Sequence, residues 1–403
     1  MKFERFCEVS KLLWDDYLSF LRDGFKPTKN QVGFFPQFII VSRYDQHWTV
    51  ELLGAQPGFK ELQLIVRKKC GTISDYFNQF KEVEQRGAFH MHGAHTSTGQ
   101  IVIAQGIDYF PALKRFPFLG LYETTFLVMN ASGSLITFDD DFRNTLIHNC
   151  ALLNKSSEAY RCKNILLLAV FRNDCTEIEL KDFYDHFLKY GNTTGNRIGY
   201  GVRNASKDDE SLLVASYLQN LYLADQIHET TIGAYLKDHS KVLLKAFNAT
   251  SLVYEPYLKW IEHDGTIEAE AINPDFILRR EDGSTVIIDL KLAKTEAKSL
   301  IKGKRSRRRP IDYVYEGITQ LAHYSFYFTF DANREYMSKR YDVDVSDPEL
   351  WLVVGSVENV DAAKMEQALQ ANRGIKIAIM DYDTLVFHFI RECAPLSSPR
   401  SLI

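Results

Sequence analysis

The stretch that most constrains the fold of this chain is Asn273-Pro274-Asp275-Phe276-Ile277-Leu278, followed by a polar segment from Arg279 to Ser284 and then Thr285-Val286-Ile287-Ile288-Asp289-Leu290-Lys291-Leu292. Two apolar runs rich in Ile, Val and Phe around Glu281-Asp282-Gly283 predict a β-hairpin, with Gly283 available for the left-handed position that closes a three-residue loop. A turn centred on Asp282 fixes the register. Asp275 then falls directly opposite Asp289, with Cα atoms roughly 4.5–5.5 Å apart. Because strand side chains alternate, Asp289 and Lys291 project to one face and Ile288 and Leu290 to the other, so one face is expected to be chemical and the other structural.

Like charges directly opposite on neighbouring strands repel unless something neutralises them. A hard divalent cation that prefers carboxylate oxygens does this well, which makes Mg²⁺ the natural candidate and Mn²⁺ its substitute. A lysine two residues past the second carboxylate is placed to orient or deprotonate a water, or to stabilise charge on a phosphate in flight. The same residues are also compatible with a plain surface hairpin whose charges are solvated.

The residues around the hairpin add to the chemical reading. From Glu210 to about Phe247 apolar residues recur at helical spacing, giving a helix pair in which Glu229 lies on or at the start of the second helix. Leu252 to Ile261 reads as a strand beside the hairpin, bulged or at an edge because of Pro256, and offers Glu255 as a second acid. Downstream lie Lys298, Lys302, Lys304, Arg305, Arg307, Arg308 and Arg309. A basic run is usually a solvated loop, but beside paired carboxylates it suits a polyphosphate backbone that those carboxylates would repel. A helix from about Asp312 to Tyr327 puts Gln320 and Tyr324 one turn apart on one face. A strand at 350–355, a helix at 361–371 and a strand at 375–380 complete the order.

The first half reads as a mixed, strand-rich module. Short apolar runs at 37–42, 48–53, 62–67, 100–104, 123–129 and 164–171 are separated by turn residues, with short helices expected among them. It contains no Gly-rich phosphate loop, nucleophile elbow or internal repeat. His90, His92 and His95 form a cluster that either binds a transition metal or lies in an exposed loop. The aromatic stretch from Asp108 to Phe118 suits core packing better than base stacking. Polar residues from Gly191 to Asp209 mark a junction, giving an accessory domain at 1–205 and a second domain at 206–403.

Over 403 residues the chain is 45% hydrophobic and 25% charged, a globular composition long enough for two domains. Its six cysteines form no Cys-x-x-Cys pair, as expected of reduced thiols rather than a zinc ribbon. The net charge of -4 gives no overall attraction to nucleic acid, so such a partner must be met by a local patch. No run approaches the roughly 18 apolar residues of a membrane span and no signal-peptide layout opens the chain, so a cytoplasmic protein is expected.

In the second half the chain resembles the PD-(D/E)xK nuclease superfamily, in which a helix-flanked sheet carries an acid on the first helix, Asp and Asp/Glu-x-Lys on the hairpin, and often Gln-x-x-x-Tyr on the next helix. The matching residues are Glu229, Asp275, Asp289, Lys291, Gln320 and Tyr324. More closely, it resembles the Shedu family of bacterial antiphage-defence proteins in the segments 229–239, 254–260, 273–275, 289–291, 307–309 and 316–321. Ser240 departs from the proline expected after His239, and Asp289 stands where Glu is commoner. The resemblance covers about residues 225 to 390. It implies an α/β (α+β) restriction-endonuclease-like core of helix, three strands, helix, strand, and a Mg²⁺-dependent endonuclease acting on phage or other foreign DNA. Asp275, Asp289, the Leu290 carbonyl and Glu229 (alternatively Glu255) would hold the metal, Lys291 and Gln320 would serve catalysis, and Lys304, Arg305, Arg307, Arg308, Arg309 and Tyr324 would contact DNA. A homo-oligomer, dimer or tetramer, is implied, with the N-terminal domain controlling substrate access. A module that binds DNA or regulates without cutting is the alternative.

Overall fold

The computed structural model describes residues 1–24, 31–68, 70–73, 100–104, 124–128, 144–156, 159–191, 201–206, 210–223, 227–294, 297–304, 307–357, 359–370 and 376–393. The chain divides into two compact units, Met1–Asn220 and Leu221–Ile403. The division falls beyond the 205/206 junction that composition suggests.

The first unit opens with α1 (Phe3–Gly24), whose buried Phe3, Phe6, Cys7, Trp14, Tyr17 and Leu18 form one apolar stripe. Strands β1 (Gln31–Phe35), β2 (Phe38–Arg43), β3 (His47–Leu53), β4 (Gln56–Pro57), β5 (Gln63–Arg67), β6 (Gln100–Ala104), β7 (Thr124–Val128), β8 (Asn144–Ser156) and β9 (Ala159–Arg172) follow, then α2 (Glu177–Gly191), β10 (Arg203–Ser206) and α3 (Glu210–Leu223). A seven-stranded sheet has the order β5-β2-β3-β9-β8-β6-β7, and β10-β1-β4 form a small second sheet. The stripe of α1 packs with Val41, Trp48, Val50, Leu167, Ala169 and Phe171 into the core of this unit. All six expected strands are present. The long strand β8 was not expected, because its ends (Asn144-Thr145 and Asn154-Lys155-Ser156) carry polar residues that read as turns. The His90–His95 cluster and the aromatic stretch 108–118 lie outside the described residues.

The second unit holds α4 (Glu229–Asp238), α5 (Lys241–Ala246), β11 (Ala249–Tyr254), β12 (Leu258–Lys259), β13 (Ala271–Ile272), β14 (Phe276–Arg280), β15 (Thr285–Leu290), β16 (Ile301–Lys302), β17 (Arg309–Pro310), α6 (Asp312–Tyr327), α7 (Asp331–Tyr341), β18 (Glu349–Val353), α8 (Ala362–Gln370), β19 (Ile377–Met380) and α9 (Tyr382–Cys393). It is a mixed α/β unit around a five-stranded sheet of order β11-β14-β15-β18-β19. β11, β14 and β15 run antiparallel, whereas β15, β18 and β19 run parallel, each parallel pair being joined through helices. The helix break at Ser240, where the resemblance leads one to expect proline, separates α4 from α5.

The hairpin has the expected register. Phe276 pairs with Ile288, Ile277 with Ile287, Leu278 with Val286 and Arg279 with Thr285. Gly283 has φ +83°, and the Asp282 carboxylate accepts the Ser284 amide at 2.9 Å and its hydroxyl at 2.6 Å, closing the turn. Arg280 clamps β14 to β18 through a two-pronged pair with Glu349 at 2.6 and 2.9 Å.

One expectation fails. The face of β15 that carries Asp289 is not purely chemical, because Ile287 on that face packs with Ile318, Leu321 and Leu352. Every residue of β15 is buried. A strand with a parallel neighbour is covered on both faces, so polar side chains can gather only where the strand ends.

Candidate active site

The site is built at that end. One step beyond the last pair of the hairpin, Asp275 stands across from Asp289. The Asp275 carboxylate accepts the Leu290 amide at 2.6 Å, and its carbonyl accepts the Glu255 amide at 2.9 Å, so both neighbouring strands fix the residue. Lys291 extends the parallel ladder by donating its amide to Val353 at 2.8 Å. Its ammonium lies 2.7 Å from Asp289 Oδ2 and donates to the Leu290 carbonyl at 3.3 Å. Asp289 and Lys291 are only 3% and 6% exposed, so their charges act in a low-dielectric setting.

Burial, followed by repulsion from Asp289, pushes the Asp275 carboxyl well above the usual carboxylate range, against the opposing Leu290 hydrogen bond. Burial raises Asp289 too, with Lys291 opposing and Glu229 and Glu316 adding to the rise. For Lys291, burial favours the neutral amine, but Asp289, Glu229 and Asp275 outweigh it and the pKa rises, so the group is an ammonium. Lys291 alone thus does not compensate both acids in their ionised form. That imbalance is what a cation corrects.

The local geometry fits such an ion. Asp289 Oδ2 is buried with the Lys291 ammonium 2.7 Å away, and on α6 the buried Gln320 Oε1 has no hydrogen-bond donor. A Cβ at Gly317 would lie 2.7 Å from Leu352 Cδ1 and 3.4 Å from Asp289 Oδ2, so glycine lets α6 approach β15 while keeping that oxygen clear. Among the described residues, no group of three or more His, Cys, Asp or Glu side chains forms a ready-made metal site. The donor set is therefore two carboxylates with neutral oxygens, a composition Mg²⁺ accepts when water and phosphate complete its shell.

Glu229 joins this cluster as the first residue of α4. Its Oε2 lies 3.8 Å from the Lys291 ammonium, while its Oε1 accepts the Tyr313 hydroxyl and faces the Leu292 amide at 3.4 Å. Glu255 does not join. It follows the end of β11 with φ +43°, exposed, and contributes its backbone amide to Asp275. The expectation that it lies on a strand is corrected, because β11 ends at Tyr254.

Tyr324 is likewise corrected as a DNA contact. It is 7% exposed and donates its hydroxyl to the Asn273 carbonyl at 3.4 Å, bracing the segment that leads into Asp275. The basic run forms a hairpin of β16 and β17. Within it Lys304, Arg307 and Arg309 are exposed, Arg308 donates to Gln367 at 2.5 Å and Lys302 pairs with Asp312 at 2.6 Å, whereas Arg305 lies outside the described residues. Gly303 has φ +90°, and a Cβ there would meet the Arg307 carbonyl at 2.2 Å, so only glycine permits this turn.

Tyr313 and Glu316 are further neighbours of this cluster that sequence reasoning missed. Both lie on the helical stripe of Gln320 and Tyr324, at positions 313, 316, 320 and 324, and stepping back along it from Gln320 would have found them. Comparison with known proteins finds neither a matching family model nor a matching curated protein.

Proposed function

We propose that this protein is a Mg²⁺-dependent DNA endonuclease with a PD-(D/E)xK-type second unit, serving, by its resemblance to the Shedu family, in bacterial defence against phage. The observation that carries the reading is the opposed pair Asp275 and Asp289, with Asp289 and the Lys291 ammonium beside it both buried. Buried like charges are costly to a fold, and a plain surface hairpin would have no reason to build them.

Asp275, Asp289 and the Leu290 carbonyl would hold the metal. When bound, the ion supplies Lewis acidity toward the phosphate and acidifies water. Lys291, as an ammonium, orients the attacking water and stabilises charge on the phosphate during in-line displacement. Gln320 steadies Lys291 or a phosphate oxygen. The exposed cations of the β16–β17 hairpin, which leads directly into α6, grip the DNA backbone, and the first unit controls access to substrate. Incubating the purified protein with supercoiled and linear DNA in Mg²⁺ or EDTA tests the reading. Cleavage in Mg²⁺ alone is expected; binding without cleavage under every divalent-metal condition would favour the non-cleaving alternative.

A further inference from the structure

We infer that Tyr313 is a positioning residue for the Lys291 ammonium and acts on it through Glu229. Its value for catalysis rests on the proposed nuclease reading, in which Lys291 is the working cation.

Glu229 divides its two oxygens between two partners. Oε1 accepts the Tyr313 hydroxyl, whereas Oε2 is turned toward Lys291 Nζ at 3.8 Å. The same hydroxyl accepts the Leu292 amide at 2.6 Å, so the phenol is fastened at once to the first residue of α4 and to the residue next to Lys291. The Lys294 ammonium lies 4.9 Å from the centre of the Tyr313 ring and covers it. Beyond Lys294, the Asn359 amide donates to the Ala293 and Lys294 carbonyls at 2.9 Å each, fixing the loop that leaves Lys291. Lys291 Nζ has Asp289 Oδ2 at 2.7 Å and the Leu290 carbonyl at 3.3 Å within hydrogen-bond reach, and Glu229 Oε2 faces it at 3.8 Å as a neighbouring charge.

An ammonium has three donors; two find these acceptors, and the Glu229 charge sets where the third points. Oε2 faces the ammonium while Oε1 is held by the Tyr313 hydroxyl. With Oε1 engaged, Glu229 offers the site a single oxygen, and that oxygen faces the ammonium. Glu229 therefore orients Lys291 rather than completing the metal shell. Since α6 also carries Gly317 against Asp289, one rigid helix aligns both the lysine and the carboxylate it serves.

A merely structural Tyr313 would anchor the loop without altering the ammonium. Proton–nitrogen spectra of ¹⁵N-lysine-labelled, metal-free full-length protein separate the two. Wild type should show a slowly exchanging ammonium resonance that disappears in Lys291→Ala. Tyr313→Phe and Glu229→Gln should each broaden or displace it, and Tyr313→Phe should add nothing in the Glu229→Gln background. In cleavage assays Tyr313→Phe should lower kcat about tenfold, the loss of one hydrogen bond to a charged group, with KM for DNA and the Mn²⁺ affinity within about twofold of wild type. A wild type without the resonance, or a resonance unmoved in Tyr313→Phe, overturns the inference, as does additivity of the two substitutions. Should Tyr313→Phe fail to fold, an unmoved resonance in Glu229→Gln overturns it equally. A responsive resonance in a protein that does not cleave DNA keeps the positioning and sinks the nuclease reading; an unresponsive one in a protein that cleaves does the reverse.

Discussion

The Asp275 carboxylate and the Leu290 amide are joined at 2.6 Å across the open end of the β14–β15 hairpin. This bond holds one acid of the site against the backbone of the strand that carries the other. It also keeps Asp275 from turning away from Asp289, so their repulsion is built into the metal-free fold.

That repulsion has a sign that can be measured. Both carboxyls have folded pKa values raised above the ordinary range near 4, so the folded state binds more protons than the unfolded state as pH rises from about 4 toward neutrality. Stability of the metal-free protein should therefore fall across that window. Asp275→Asn removes one charge while leaving an acceptor for the Leu290 amide, and should raise the melting temperature of the second unit at pH 7 in EDTA by about 2–4 °C, the equivalent of about 1 kcal/mol. The gain should vanish near pH 4. Mg²⁺ should stabilise wild type but not the variant. Thermal scans at both pH values check this, and a destabilised Asp275→Asn at pH 7 would show that the pair is not under electrostatic load.

Asp289→Ala or Lys291→Ala should reduce cleavage by at least about 100-fold, since each removes a charged group from a water-poor site. DNA binding should persist, because the exposed cations lie on a separate hairpin. Wild-type rates in both variants, with contaminating nuclease excluded, would remove the site from consideration.

The two candidate acids are separated by a matched pair of substitutions. Glu229→Gln should slow cleavage, because its carboxylate lies beside Lys291 and is held by Tyr313. Glu255→Gln should cleave at close to the wild-type rate, because the structure uses that residue's amide and leaves its side chain exposed. The reverse ranking at equal melting temperature would move the third acid to Glu255.

Much of this arrangement was legible in the sequence because it follows from local rules. The register came from one turn glycine and strand alternation, and Glu229 from a helix start. What escaped notice depended on tertiary packing. Tyr313 has no local mark of its role, since its partners Glu229 and Leu292 are 84 and 21 residues away. Tyr324 shares a helix stripe with Gln320, yet the stripe passes from the site into the core, and periodicity alone does not show where that happens. Helix α1 has a regular apolar stripe, yet it precedes a half dominated by β-branched runs that read as strands.

Arg308 is occupied by Gln367, whereas Arg307 and Arg309 are exposed beside the start of α6. If those two contact phosphates, replacing both by Ala should release two fewer counterions on binding duplex DNA. The slope of log affinity against log salt should then shrink by about 1.8, at about 0.9 per contact, and affinity should fall uniformly across sequences. Arg308→Ala should leave the slope almost unchanged and act through the packing of α8, which carries Gln367. Measured on a Lys291→Ala background, so that DNA stays intact through the titration, an unchanged slope in the Arg307→Ala/Arg309→Ala double variant would place the phosphate grip elsewhere, most directly on the first unit.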